Sequence, residues 1–467
     1  MKKLSFALFS IIFVLALVSL TACFDESPVE IEYELNADGT AYTVTGLTSS
    51  PRFSEYDVVI PAEHDGLPVT AIGESAFTFR GRLRSVTLPD SIVTIENAAF
   101  STCEGLVSIT IPETTSTIGR AAFYGCVSLE TVHIPTSVSS LGDSAFSYCI
   151  SIKEFTVAED NPAYEAIDGN IYTKGGGTLV QYAIAKTDKS FTTPEQTATV
   201  EPNAFYHCEA IEEITFSDSV THIGAHAVSM CENLRTINLG KGLNSIDATS
   251  LGASDALSEI NVDPENSAYK SIDGVLFTKD GKTIVLLPQG HGEDVYTVPD
   301  GVTAIGDDAF SSNETLKGVV FPEGLVSIGE NAFSYCRELE EVIIPNGVTK
   351  IGAGAFRDCE SITEITLPNS VTSIGEAVFS GCARMKSAEL GNGVKSIPSY
   401  AFQHCDNLET VSVGTGLKSI GSHAFRNCYK LTTLNYAGSQ WQWMFSVDRE
   451  AAWDIETSSN FSVKYNG

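Results

Sequence analysis

Phenylalanine returns every 23 residues along most of this chain, and that regularity constrains the fold more than any other feature. Phe77, Phe100, Phe123 and Phe146 stand at that step, Phe205 opens a short second run, and Phe310, Phe333, Phe356, Phe379, Phe402 and Phe425 form a third. With Val228 and Leu251 as degenerate members, 13 coils are counted. A repeat of this length is too small to bury its own apolar side and must stack on its neighbours as a solenoid. A length of 467 residues would otherwise suggest several globular domains. A quasi-one-dimensional array absorbs it in one elongated domain with end caps.

One coil is legible from Cys103 to Phe123: Leu106, Ile109, Ile111, Pro112, Ile118, Gly119, Ala122 and Phe123, after which Cys126 opens the next. The template is Cys-x-x-Leu-x-x-Val-x-Ile-Pro-x-x-Val-x-x-Ile-Gly-x-x-Ala-Phe. Ile109 and Ile111 share one face at period two, the mark of a short strand. Proline ends it in many coils (Pro89, Pro112, Pro135, Pro322, Pro345, Pro368), because it has no amide for a ladder. Glycine takes that place at Gly240, Gly391 and Gly414. The Val-x-x-Ile-Gly stretch is expected to turn the chain, with glycine supplying a conformation closed to other residues. A helical or 3₁₀ turn over Ala-Phe is expected to bring it back. Stacked coils then form a parallel sheet on one face, with the phenylalanines filling the interior behind it.

Two breaks in the period are copies of each other. Phe146 to Phe205 and Leu251 to Phe310 are both 59 residues apart, and the inserted segments align at an offset of 105, pairing Asn161, Tyr164, Asp168 and Gly169 with Asn266, Tyr269, Asp273 and Gly274. Alternating apolar residues around Gly175 to Gly177 and around Asp280-Gly281 read as hairpins, within insertions at about 158–193 and 263–298. Strands resume at Phe191 to Pro194 and Tyr296 to Pro299. The ends of a solenoid need lids. Residues 29–61 read as a β cap around an Asp38-Gly39 turn, and 437–467 as a C-terminal cap in which Trp441, Trp443, Phe445 and Trp453 are expected to be buried.

The stretch Ser327 to Cys336 reads Ser-Ile-Gly-x-x-Ala-Phe-x-x-Cys, and variants of it cover residues 72–431. The pattern resembles the BspA-like, or Treponema pallidum type, leucine-rich-repeat family of cell-surface proteins. The resemblance implies an α/β repeat solenoid over residues 62–436. It would be a right-handed, curved leucine-rich-repeat solenoid with a concave parallel β-sheet, short convex strands or 3₁₀ turns, and two hairpin-bearing modified coils. It also implies adhesion or protein recognition, since members of the family bind host matrix proteins or other cells.

The N-terminus reads as an address. Lys2 and Lys3 precede an almost unbroken apolar run from Leu4 to Leu20, so residues 1–22 form an export signal outside the fold. Leu20-Thr21-Ala22-Cys23 resembles the lipobox of bacterial lipoproteins, which implies that Cys23 carries the lipid and that 23–28 is an anchored linker. Two acyl chains hold a protein on a bilayer stably, whereas one binds marginally. The rival reading is an uncleaved membrane anchor. Both place the rest of the chain outside the cytoplasm, and the expected location is the bacterial cell surface. Acidic residues outnumber basic ones by 59 to 28, a balance that repels nucleic acid and anionic lipid headgroups.

Ten further cysteines, at 103, 126, 149, 208, 231, 336, 359, 382, 405 and 428, occupy one repeat position. An even count in an exported chain would ordinarily suggest disulfides. Equal spacing instead lines them up in one inward column of reduced thiols, and a line does not offer the tetrahedron that zinc requires. His222 and His226 have the spacing of zinc-protease histidines but lack the glutamate that follows the first. No phosphate loop, nucleotide fingerprint or nucleophile elbow appears. The reading is a non-enzymatic protein with no cofactor and no metal.

What remains is a surface. The residue between the two inward apolar positions of each strand faces outward, and small hydroxyl and amide residues dominate that column. Val320 and Ile343 differ, exposing branched apolar groups on adjacent coils, while Glu341 and Glu364 stand two residues earlier on their strands. The candidate partner-binding residues are Val320, Ile343, Glu341, Glu364, Thr366 and His133. The expected partner is an extracellular protein, of host matrix or another cell surface. Glycan capture by an accessory lipoprotein is the second reading, favoured if the C-terminal tryptophans are exposed.

Overall fold

The computed structural model describes residues 28–247, 249–450 and 461–466. The leader, Cys23 and Trp453 lie outside the described residues. The chain packs as two compact units, one running to Lys186 and including Glu201–His207, the other comprising Thr187–Val200 and Cys208 onward. No described helix is long and apolar enough to cross a membrane.

Within each unit the coils stack as a parallel β-solenoid. In the first, Thr131–Ile134 pairs in parallel with Glu154–Val157, 23 residues on. In the second, Glu213–Phe216, Thr236–Leu239 and Glu259–Val262 pair in register, as do Glu364–Leu367, Ser387–Leu390, Thr410–Val413 and Thr433–Tyr436. Side chains alternate along each strand, so Glu364 and Thr366 are exposed while Ile365 and Leu367 are buried. The isoleucine of Val-x-x-Ile builds a second ladder of two-residue strands, such as Ser327–Ile328 with Lys350–Ile351. Behind both ladders the phenylalanines stack nearly parallel, at 5.1 Å for Phe77 and Phe100 and 5.4 Å for Phe333 and Phe356.

The return segment differs from expectation, because Ala-Phe is not helical. The described residues hold one α-helix, Gln440–Ser446, and one 3₁₀ turn, Gln289–His291. In most coils two residues four apart adopt left-handed backbone, for example Ala121 (φ 53°) and Gly125 (φ 70°). That alternation turns every second amide toward the next coil, so Ala98, Phe100 and Thr102 donate to the carbonyls of Arg120, Ala122 and Tyr124 at 2.9, 2.8 and 2.6 Å. These amides form a third ladder between coils and are lost to any helix.

The Ile-Gly glycine is required for a different reason from the one expected. Gly375 is not at positive φ, but a Cβ there would lie 2.2 Å from the Ala353 amide nitrogen of the preceding coil. Contact between coils, rather than a special conformation, selects glycine. The left-handed residue two positions on is Ala377, at φ 51°. The substitutions Gly375→Ala and Ala377→Gly should therefore have opposite signs. The first should destabilise by about 1–3 kcal/mol through overpacking, and the second should stabilise by up to about 1 kcal/mol by relieving the left-handed strain. Equilibrium urea unfolding of both variants checks this, and two effects of the same sign would refute it.

All ten column cysteines are free and buried. Most of these thiols share one structural task. Cys103, Cys126, Cys336 and Cys382 place Sγ 3.0–3.2 Å from the carbonyl oxygen of the phenylalanine 26 residues earlier. Where cysteine is replaced by Ser254, its hydroxyl donates to the Val228 carbonyl at 3.2 Å. The position is a buried donor site that cysteine fills with little polar cost.

The two insertions fold alike. Each is a three-stranded antiparallel meander, Tyr164–Ile167, Asn170–Thr173 and Thr178–Gln181 in one, and Tyr269–Ile272, Val275–Thr278 and Thr283–Leu286 in the other. A buried asparagine anchors each start. Asn161 donates to the carbonyls of Pro135 and Val138 and accepts from the amides of Ala163 and Tyr164. Asn266 repeats the set with Gly240, Leu243, Ala268 and Tyr269. Each insertion also supplies a core-column residue that the 23-residue count omits. Tyr182 donates its amide to Ala204 and lies 5.0 Å from the Phe205 ring, while Leu287 donates to Ala309.

At the N-terminus Glu30–Leu35 and Tyr42–Ser49 pair antiparallel. At the C-terminus the helix Gln440–Ser446 begins with a capping box between Ser439 and Gln442, and Ser462–Tyr465 extends the sheet beside Thr433–Tyr436.

Candidate recognition surface

Alternation along the strands places the predicted patch on the outward face of the second unit. Ile343 is 69% exposed and Val320 51%. Val295, which the sequence reading missed, is also 51% exposed. It flanks the strand expected to resume at Tyr296, and on a strand both neighbours of an inward residue point outward, so the signal was present. Val295–Thr297 pairs in parallel with Gly318–Val320, and Gly318 opposite Val295 carries no side chain to cover it.

The hydrogen-bonded ladder is interrupted at Ile343. Gly318–Val320 pairs with Glu341–Val342, but Glu341–Val342 and Glu364–Leu367 belong to separate sheets. A concavity of about 550 Å³ opens there, lined by Glu341, Ile343, Asn346, Thr363, Glu364 and Thr366. Four of the predicted residues, Glu341, Ile343, Glu364 and Thr366, thus meet around one hollow, with Val320 on the adjoining strand. His133 belongs to the first unit, where its Nδ1 lies 2.9 Å from Thr156 Oγ1.

The hollow combines a branched apolar group with carboxylates above a floor of buried Val342 and Ile344. The charged groups that line it are the carboxylates of Glu340, Glu341 and Glu364.

A second exposed feature lies on the C-terminal helix. Trp443 is buried against Tyr436, as the cap reading expected. Trp441 and Phe445 are not. They are 71% and 75% exposed and stack one helical turn apart, with ring centroids 5.6 Å apart at 4°. At i and i+4 they share a helix face turned away from Trp443.

The BspA-type leucine-rich-repeat model matches residues 70–172, 180–282, 294–346 and 326–442. The chain belongs to that family. A leucine-rich cell-surface protein from Faecalibacterium prausnitzii is 27% identical over 90% of this chain and 96% of its own, with a TM-score of 0.50. The pneumococcal vaccine antigen PcpA is 20% identical over 94% of this chain and 99% of its own, with a TM-score of 0.47. No functionally curated protein matches the chain.

Proposed function

We propose that this member of the family is a non-enzymatic surface protein, exported and lipid-anchored through Cys23, that recognises a basic or amphipathic segment of another extracellular protein. The observation that carries the reading is the hollow at Ile343, an exposed apolar anchor bordered by Glu341 and Glu364 where the sheet ladder stops. An apolar centre with a polar rim is the anatomy of a protein-binding hot spot. The likeness to a leucine-rich cell-surface protein at 27% identity supports the surface location.

Ile343→Ser should weaken binding of the captured protein about 30-fold, the cost of a hot-spot truncation near 2 kcal/mol. Glu341→Gln with Glu364→Gln should mainly slow association and flatten its dependence on salt. Arrays of extracellular-matrix proteins and glycans, probed with residues 28–467 at physiological salt, supply the partner for these titrations. Saturable protein binding that ignores both changes would discard the site.

The exposed Trp441 and Phe445 favour a second reading, glycan capture, because stacked aromatic faces suit sugar rings. Binding to glycans alone, lost in Trp441→Ala and kept in Ile343→Ser, would establish it in place of the first.

A further inference from the structure

The phenylalanine column fails at three successive coils of the second unit, where Val228, Leu251 and Leu287 take its place. Beside Leu251 and Leu287 the structure holds a cavity of about 230 Å³, with Leu257 also on its wall and the exposed Tyr335 at its rim. For comparison, an apolar cavity of about 150 Å³ accepts benzene. The space is wide enough for an aromatic ring and a short arm, and it opens where the repeat elsewhere places a ring.

Two residues that line this space carry acceptors. Gln289, on the 3₁₀ turn Gln289–His291, is only 9% exposed. Its Nε2 donates to the Ser311 carbonyl at 3.2 Å, but its Oε1 is buried without a partner. A buried acceptor left unmatched is destabilising, and a ligand N–H would recover that loss. Asp308, half-buried on the same wall, is the second acceptor. Burial, with the carboxylates of Asp307 and Glu330 nearby, pushes its carboxyl up to about 6. A cation beside it would relieve that repulsion.

The geometry points to a binding site for a small arylalkyl amine, its ring against Leu251 and Leu287 and its ammonium donating to Gln289 Oε1 and the Asp308 carboxylate. The shape selects the ring, and two acceptors on a wall that holds no lysine or arginine, with His226 as its one basic side chain, select the amine. The chain's formal charge of −31 adds a long-range preference for cations. This site is independent of the Ile343 hollow.

Isothermal titration of the protein with phenethylamine, phenethyl alcohol and 3-phenylpropionate tests it. Phenethylamine should saturate one site at sub-millimolar concentration, the alcohol should bind about tenfold more weakly, and the carboxylate should not bind. Leu251→Phe, which restores the repeat's own residue and fills the cavity, should abolish amine binding while raising Tm. Asp308→Asn keeps a residue tolerant of left-handed backbone and should weaken the amine about tenfold with the fold intact. Equal binding of all three probes, no saturation by phenethylamine at millimolar concentration, or undiminished affinity in Asp308→Asn would overturn the proposal.

Discussion

Raising the pH above about 9 should unfold the second unit steeply, because seven buried thiols, Cys208, Cys231, Cys336, Cys359, Cys382, Cys405 and Cys428, ionise freely only once the chain opens. Burial raises all seven, Cys208 to about 11 and Cys336 and Cys428 to about 12. The folded state prefers the neutral thiol. That preference is fully present below the unfolded pKa of about 8.5 and is lost as pH climbs toward the folded values. Between these limits each thiol removes about 1.4 kcal/mol of stability per pH unit. Seven acting together match the whole stability of a typical domain, about 5–15 kcal/mol, within one or two units of pH. Circular dichroism and thiolate absorbance should therefore change in one cooperative step. Thiolate absorbance rising gradually near pH 8–9 with the dichroism unchanged would show that the column is accessible. Serine at Cys359, Cys382 and Cys405, following the precedent of Ser254, should make the alkaline transition visibly shallower.

Phe356→Ala should cost about 3–5 kcal/mol of folding stability in urea, the usual toll for deleting a buried ring. Phe356 is fully buried between Phe333 at 5.4 Å and Phe379 at 5.7 Å. Both contacts are to neighbouring coils, so the loss falls on the coupling between coils, on which a solenoid's cooperativity depends. The unfolding transition should broaden as well as shift. Phe356→Leu, the residue found naturally at Leu251 and Leu287, should cost markedly less. A loss below about 1 kcal/mol for the alanine variant would mean that the column contributes little and that the backbone ladders carry the fold.

Much of this architecture was legible because a solenoid writes its contacts into its period. Each coil touches chiefly its neighbours, so residues that meet in space share a repeat position, as do Phe333 and Phe356 or Cys336 and Cys359. The outward patch followed from period-two alternation on a strand, which located Glu341, Ile343, Glu364 and Thr366 without coordinates. Val295 was missed because it lies within the second insertion, at about 263–298, where the 23-residue count is broken. Tyr182 and Leu287 entered the core column unannounced for the same reason.

The sequence by itself determined the repeat unit, the direction of each side chain and the buried columns of phenylalanine and cysteine, because these depend only on local periodicity and the need to bury apolar faces. Tertiary structure alone decided what happens where coils meet. It replaced the expected helical turn with left-handed turns whose amides bond the next coil, and it made glycine necessary at Gly375 through contact with the Ala353 backbone. It also interrupted the ladder beside Ile343, left Trp441 and Phe445 in solvent, and opened the cavity at Leu251. Each is a matter of spacing between one coil and the next, which is set by three-dimensional stacking and is not encoded at any single repeat position.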